Sequence, residues 1–228
     1  MGDLSFERLD VDGALAEAAE RAGVVSRGTF LAGALGGTAA LLALASEPAA
    51  GQGGGLGAKD VSILNYALTL EYLQATFYTE AERMGALRGR AAEAAEVVGG
   101  VERAHVKAFR DVLGKKAAAR PSFDFQGTTE DQNGFLKTAV AFEDLAVEAY
   151  KGQAPRLQAT SALAAALAIH SVEARHAAWM RYLFGVEPAS RAFDQPRSKQ
   201  QITRVVQSTN FITSSPSTER RRTPRYTG

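Results

Sequence analysis

Two stretches of the chain repeat one another, and no other feature limits the fold as tightly. Ala67-Leu-Thr-Leu-Glu71 matches Ala139-Val-Ala-Phe-Glu143, and each glutamate is followed seven residues later by a tyrosine, Tyr78 and Tyr150. Farther on, Glu102-x-x-His105 matches Glu173-x-x-His176. Tyr78 and Glu102 are separated by 23 residues, Tyr150 and Glu173 by 22. The chain therefore contains two copies of one helical hairpin, each reading E-x6-Y…E-x-x-H.

The spacings have a physical meaning only on helices. At about 100° per residue, positions i and i+3 lie about 60° apart on one face, so a Glu and a His can grip one ion together. Positions i and i+7 return to nearly the same face two turns on, which predicts that each tyrosine lies on the interior near its own glutamate. Four inward glutamates carry four negative charges, which two divalent cations would cancel. Without metal these carboxylates would repel one another and take up protons, because buried unpaired charge is expensive.

Apolar spacing predicts four long helices. The first runs from about Lys59 to Ala86 and the second from about Arg88 to Ala118. Gly99-Gly100 within the second implies a kink or a close helix contact. The third follows a cap formed by Thr128 and Asp131 and reaches about Lys151. The fourth is placed at Thr160–Phe184, because a start right after Pro155 would misalign its glutamate with Glu143 by roughly 12 Å. A short helix from about Ser198 and an anchoring pair, Phe211-Ile212, complete the fold. No strand is expected.

This reading gives an all-α bundle over residues 58–190, a C-terminal cap over 191–212 and a disordered basic tail over 213–228. The tail holds most of the excess base: residues 191–228 carry 8 Lys and Arg against 2 Asp and Glu, whereas the whole chain is at +1. Absence of Cys excludes disulfides, thiolate nucleophiles, iron–sulfur clusters and Cys-type zinc sites. No Gly-rich phosphate loop, nucleophile elbow or aromatic-basic nucleic-acid surface occurs, so nucleic acid is not an expected partner.

Residues 1–45 read as a signal-like segment. Phe30–Ala45 is uncharged and ends in Ala43-Leu44-Ala45, an A-x-A cleavage pattern, but is too short to span a bilayer comfortably. Ser26-Arg27-Gly28-Thr29-Phe30-Leu31 resembles a twin-arginine export signal with Gly28 in place of the second arginine. Residues 46–57, rich in Gly and Ala, read as a flexible linker. Export to the periplasm or outside the cell is expected, with contact to a membrane only through an uncleaved N-terminal segment. The alternative is a cytoplasmic protein whose N-terminal helices pack on the bundle.

One Glu from each of two helices and one Glu-x-x-His from each of the others is the ligand set of ferritin-like di-iron and di-manganese carboxylate proteins. The phrases FEDLAVEAY, VEARHAAWMR and FDQP…FI are similar to bacterial ferritin-like proteins related to desiccation-associated proteins, over about Lys59 to Ile212. The resemblance implies an antiparallel ferritin-like four-helix bundle with a crossover between its second and third helices. About 10 residues were available for that crossover on these helix ends, reaching roughly 33–36 Å where about 40 Å is needed.

The resemblance further implies metal ligation by Glu71, Glu102 and His105 in one half-site and by Glu143, Glu173 and His176 in the other. Glu102 and Glu173 would bridge. Two Fe ions are the expected cofactor, with Mn the alternative, and O2 or peroxide the expected oxidant, in an oxidoreductase or ferroxidase. Tyr78 and Tyr150 are the candidate catalytic residues, through hydrogen bonds to ligand glutamates or electron transfer. A homo-oligomer fits the resemblance as well. The alternative function is a non-catalytic stress or desiccation-related bundle with a structural metal or none. His170 reads as a core or supporting residue and Glu148 as a surface or partner-helix residue.

Overall fold

The computed structural model describes residues 56–214; the signal-like segment, most of the linker and the remainder of the basic tail lie outside them. Four long helices dominate: α1 (Ala58–Met84), α2 (Gly89–Leu113), α3 (Gln132–Gln153) and α4 (Thr160–Phe184), followed by the short α5 (Lys199–Ser208). Their ends follow from local chemistry. Gly85 and Gly185 close α1 and α4 in the left-handed conformation, with φ of 64° and 83°. Asp131 caps α3 by accepting from the Gly134 N–H, and Ser198 and Gln201 form a reciprocal capping box on α5.

Directions of the helices can be read from their core partners. One buried cluster joins Phe77 and Tyr78 of α1, Ala91 to Val98 of α2, Phe135 and Phe142 of α3, and Met180 of α4. The other joins Leu64 and Leu68 of α1, Phe109 and Leu113 of α2, Tyr150 of α3, and Ala166 and Ile169 of α4. Following residue numbers from one cluster to the other, α1 and α4 run one way and α2 and α3 the opposite way. Asp60 fixes the same arrangement from one end. Its carboxylate accepts from the Gln158 and Ala159 N–H groups, both at 2.9 Å, so α1 and α4 start side by side. The topology is the crossover bundle, not an up-down-up-down one.

The crossover is longer than the sequence reading allowed. Gly114 takes a positive φ of 52° and stops α2 there, although the Lys-Lys-Ala-Ala-Ala that follows favours helix. Residues 114–131, eighteen in all, form the connection; at about 3.3 Å each they reach roughly 60 Å extended, ample for the return along the bundle. Asn65 holds its start, donating to Lys116 O at 2.9 Å and accepting from Ala118 N at 2.6 Å. Phe125 seats its middle in the aromatic cluster, and Thr129 donates to Glu80 Oε1 near its end.

The expectation of no strands is corrected here. Ser122–Phe123 (β1) in the crossover pairs antiparallel with Ile212–Ser214 (β2), so ordered chain continues past residue 212. Two- and three-residue strands are too short to show an alternating pattern. The pairing brings Phe211 against Phe125 and Phe142, while Ile202 and Val206 of α5 bury into the same cluster.

Gly99 is a site of close approach between α1 and α2. A Cβ there would lie 2.8 Å from the Tyr78 Cβ and 2.3 Å from Glu82 Oε1. Gly99→Val is expected to destabilise the bundle by about 1–3 kcal/mol, the usual cost of overpacking, read as a lower midpoint in urea denaturation. Among the described residues no helix is long and apolar enough to cross a membrane.

Candidate metal centre

Between the two core clusters lies a polar layer. Glu71, Glu102, Glu143 and Glu173 each show 0% exposure, and His105 and His176 show 6%. The i,i+3 spacing sets Glu102 with His105 on one face of α2, and Glu173 with His176 on one face of α4. Because α2 and α4 run antiparallel, the motifs meet head to tail. His105 Nδ1 is 3.2 Å from Glu173 Oε1 and 3.2 Å from Glu71 Oε2, while His176 Nδ1 is 2.9 Å from Glu102 Oε1 and 3.5 Å from Glu143 Oε2.

Although close, these atoms do not form hydrogen bonds with one another. Eight buried atoms are left unpartnered: both oxygens of Glu102 and of Glu173, Oε2 of Glu71 and of Glu143, and Nδ1 of both histidines. They fall into two groups whose atoms lie within 4.8 Å of one another, Glu71-Glu102-His105-Glu173 and Glu102-Glu143-Glu173-His176. Glu102 and Glu173 belong to both. Orphaned buried acceptors converging from four helices are costly unless something positive binds them. The donor set, four carboxylates and two imidazoles, resembles a di-metal site. The cluster could hold metal ions.

Each tyrosine was expected near the glutamate of its own repeat. Instead Tyr78 donates to Glu143 Oε1 at 2.5 Å, and Tyr150 donates to Glu71 Oε1. Two helical turns span about 11 Å, too far for a hydrogen bond within one helix. Antiparallel α1 and α3 place residue 71 level with 150 and 78 level with 143, so the partners are exchanged between repeats. The bonds occupy the one oxygen of Glu71 and of Glu143 that faces away from the cluster, leaving Oε2 to face inward.

Burial and mutual charge strongly perturb protonation in the cluster. Burial, reinforced by the charge of Glu173, pushes Glu102 up to about 8, and burial pushes Glu143 up to about 6. Burial also acts to raise Glu173, but the two adjacent imidazoles outweigh it and hold this carboxyl below its ordinary range. Burial works to lower His176, yet Glu102, Glu143 and Glu173 around it push it up to about 12, and His105 is raised by the same kind of surroundings. Burial and the nearby carboxylates raise both tyrosines, keeping their hydroxyls as donors.

His170 belongs to neither group of converging atoms. It is partly buried, and burial followed by the charge of Lys151 lowers its pKa. Glu148 faces the C-terminal cap, where it pairs with Arg197 at 3.0 Å. Buried polar residues outside the six donors, among them Asp60, Thr129 and Gln153, escaped the sequence reading. Asp60 looked like an ordinary acid in a first helical turn, and Gln153 followed a glycine at a helix end; neither belongs to a motif.

The profile of the family described as "Ferritin-like domain" matches residues 59–186. That span runs from the first turn of α1 to just past the end of α4 and includes all six converging side chains. No curated protein matches the chain.

Proposed function

The chain belongs to the ferritin-like domain family, and from that premise we propose that it is a two-metal carboxylate protein, di-iron or di-manganese, that reacts with O2 or peroxide. The observation that supports this reading is the set of eight unpartnered buried atoms arranged as two groups sharing Glu102 and Glu173. Glu71 and His105 would complete one ion's ligands, Glu143 and His176 the other's. When bound, the metal pair would supply redox equivalents to the oxidant.

The protein's own contribution is to hold these donors in place. Tyr78 and Tyr150 act as positioning residues: each hydroxyl keeps its proton and pins one carboxylate oxygen, so that Glu143 and Glu71 each present a single oxygen inward. The apolar clusters on either side pack the ligand helices together and prevent them from splaying.

Adding Fe(II) anaerobically and then admitting air tests the reactivity. Oxygen uptake with appearance of ferric absorbance is expected. A bundle in which metal serves only as a staple would take up the ion and consume no oxygen.

Metal uptake should also release protons. At neutral pH, before metal binds, the cluster retains protons on Glu102 and His176, pushed up to about 8 and about 12, and on His105, raised well above its ordinary range. Ligation needs the deprotonated forms, so affinity rises with pH, and the rise becomes less steep above about 8, where Glu102 has already lost its proton before metal binds. Calorimetric titration in buffers of different ionisation enthalpy measures the protons released; an apparent enthalpy independent of buffer would contradict it.

A further inference from the structure

Positive charge is gathered in one stretch of an otherwise balanced bundle. Residues 103–120 hold six basic side chains against the single acid Asp111, whereas the rest of residues 56–214 hold 13 against 16. Arg103, Lys107 and Arg110 fall at i, i+4 and i+7 on α2 and share one exposed face. Like charges at that spacing destabilise a helix. The negative end of the helix dipole offsets such a cost only within the last turn. It accounts for Arg110, but Lys107 and Arg103 stand one and two turns farther back, and Arg120 lies outside the helix.

These four side chains line a groove of about 730 Å³, Arg103, Lys107 and Arg110 contributed by α2 and Arg120 by the crossover. Gly114 shapes it by ending α2 at a φ of 52°. Asn65 then holds the departing chain through the Ala118 N–H, and the Tyr72 hydroxyl donates to Ala118 O at 3.3 Å. The groove is built into the fold.

Its charge is not balanced from within. Glu82 pairs with Arg103 and Asp111 with Lys107. Among the described residues no carboxylate pairs with Arg110 or Arg120, nor with Lys115 and Lys116 in the turn between them. An anion is the missing partner.

The lining also narrows its class. From Arg103 to Arg110 the α2 cations extend over about 10 Å, so one small ion meets only part of the set. Guanidinium forks pair bidentately with phosphate oxygens. Tyr72, the aromatic residue of the lining, is 5% exposed with its hydroxyl occupied, and offers no face for stacking a base. Val106, Ala117, Ala118 and Ala119 supply no side-chain hydrogen bonds to a peptide backbone.

We infer that this groove binds a linear chain of phosphates, an oligophosphate, gripped by Arg110 from the helix and Arg120 from the crossover, with Arg103 and Lys107 extending the positive field. The site does not rest on the two-metal reading, and neither one's failure touches the other.

The test is calorimetric titration of the full chain with sodium tripolyphosphate, after dialysis to remove loose metal ions that the phosphates would otherwise bind. Saturable binding of one molecule per chain is expected, with affinity falling as salt is raised. Arg110→Gln and Arg120→Gln should each weaken it about tenfold, the equivalent of one charge-assisted hydrogen bond. The double variant should also flatten the salt dependence. Lys137→Gln removes the same charge from an exposed position near the opposite end of the bundle and should change neither quantity. Thermal melting checks that each variant folds.

Inorganic phosphate, too short to span the row, should bind more weakly than tripolyphosphate. Absence of saturable binding would overturn the proposal, as would an equal loss in Lys137→Gln or inorganic phosphate matching the longer chain. Tighter binding of a glutamate peptide or of single-stranded oligothymidine, each of matched charge, would overturn it too, by assigning the groove to another class of ligand.

Discussion

Glu102→Gln is expected to strip the protein of both metal ions, whereas Glu71→Gln should weaken only one. Glu102 directs its two oxygens to different histidines, Oε1 at 2.9 Å from His176 Nδ1 and Oε2 at 3.5 Å from His105 Nδ1, and contributes to both groups of converging atoms. Glutamine preserves volume but replaces one oxygen with an NH2 that repels cations. It also removes one negative charge from the layer that two divalent ions would neutralise. Disturbing residues that merely support a ligand costs about 10–100-fold in metal affinity, so losing a shared ligand should cost more than about 100-fold at both positions. Glu71 belongs to one group only, and its replacement should leave the Glu143 and His176 side able to bind. Metal analysis after dialysis against a defined free-metal buffer, with calorimetric titration of both variants, measures the contrast. Equal losses from the two substitutions would contradict a shared role for Glu102.

Chelation of the metal should lower the melting temperature by roughly 10 °C at neutral pH. An ion pair held at about a thousand times its dissociation constant stabilises the folded chain by about 4 kcal/mol, and a domain of this size shifts by about 2–4 °C per kcal/mol. The physical source is the layer of four fully buried carboxylates. Protons on Glu102 and on the imidazoles relieve part of the repulsion without metal, but they cannot satisfy all eight converging atoms at once. Calorimetry of the protein with and without a chelator, repeated after re-addition of metal, checks both sign and reversibility. An unchanged melting temperature would mean that the layer is already satisfied without ions.

The sequence carried the helices and the convergence of the polar layer, since both depend on periodicity. A 3.6-residue repeat decides which side chains share a face, and the two E-x6-Y…E-x-x-H phrases can share one interior only in a helical bundle. Matching the depth of Glu143 in α3 with that of Glu173 in α4 placed the start of α4 at Thr160, where it lies. What periodicity could not supply was the relation between helices. The tyrosines exchange glutamates because α1 and α3 are antiparallel, and nothing within either phrase states that direction. Helix α2 ends early because one residue, Gly114, turns to positive φ against the preference of its neighbours.

Anomalous X-ray scattering from crystals grown with Mn(II) or Fe(II) tests the central claim most directly. Two peaks about 3.5–4 Å apart, the usual separation in two-metal sites, are required at the midpoint of the bundle, with Glu102 and Glu173 between them and His105 and His176 on opposite sides. A single peak, or ions bound only at surface carboxylates while the six side chains keep to themselves, would contradict it.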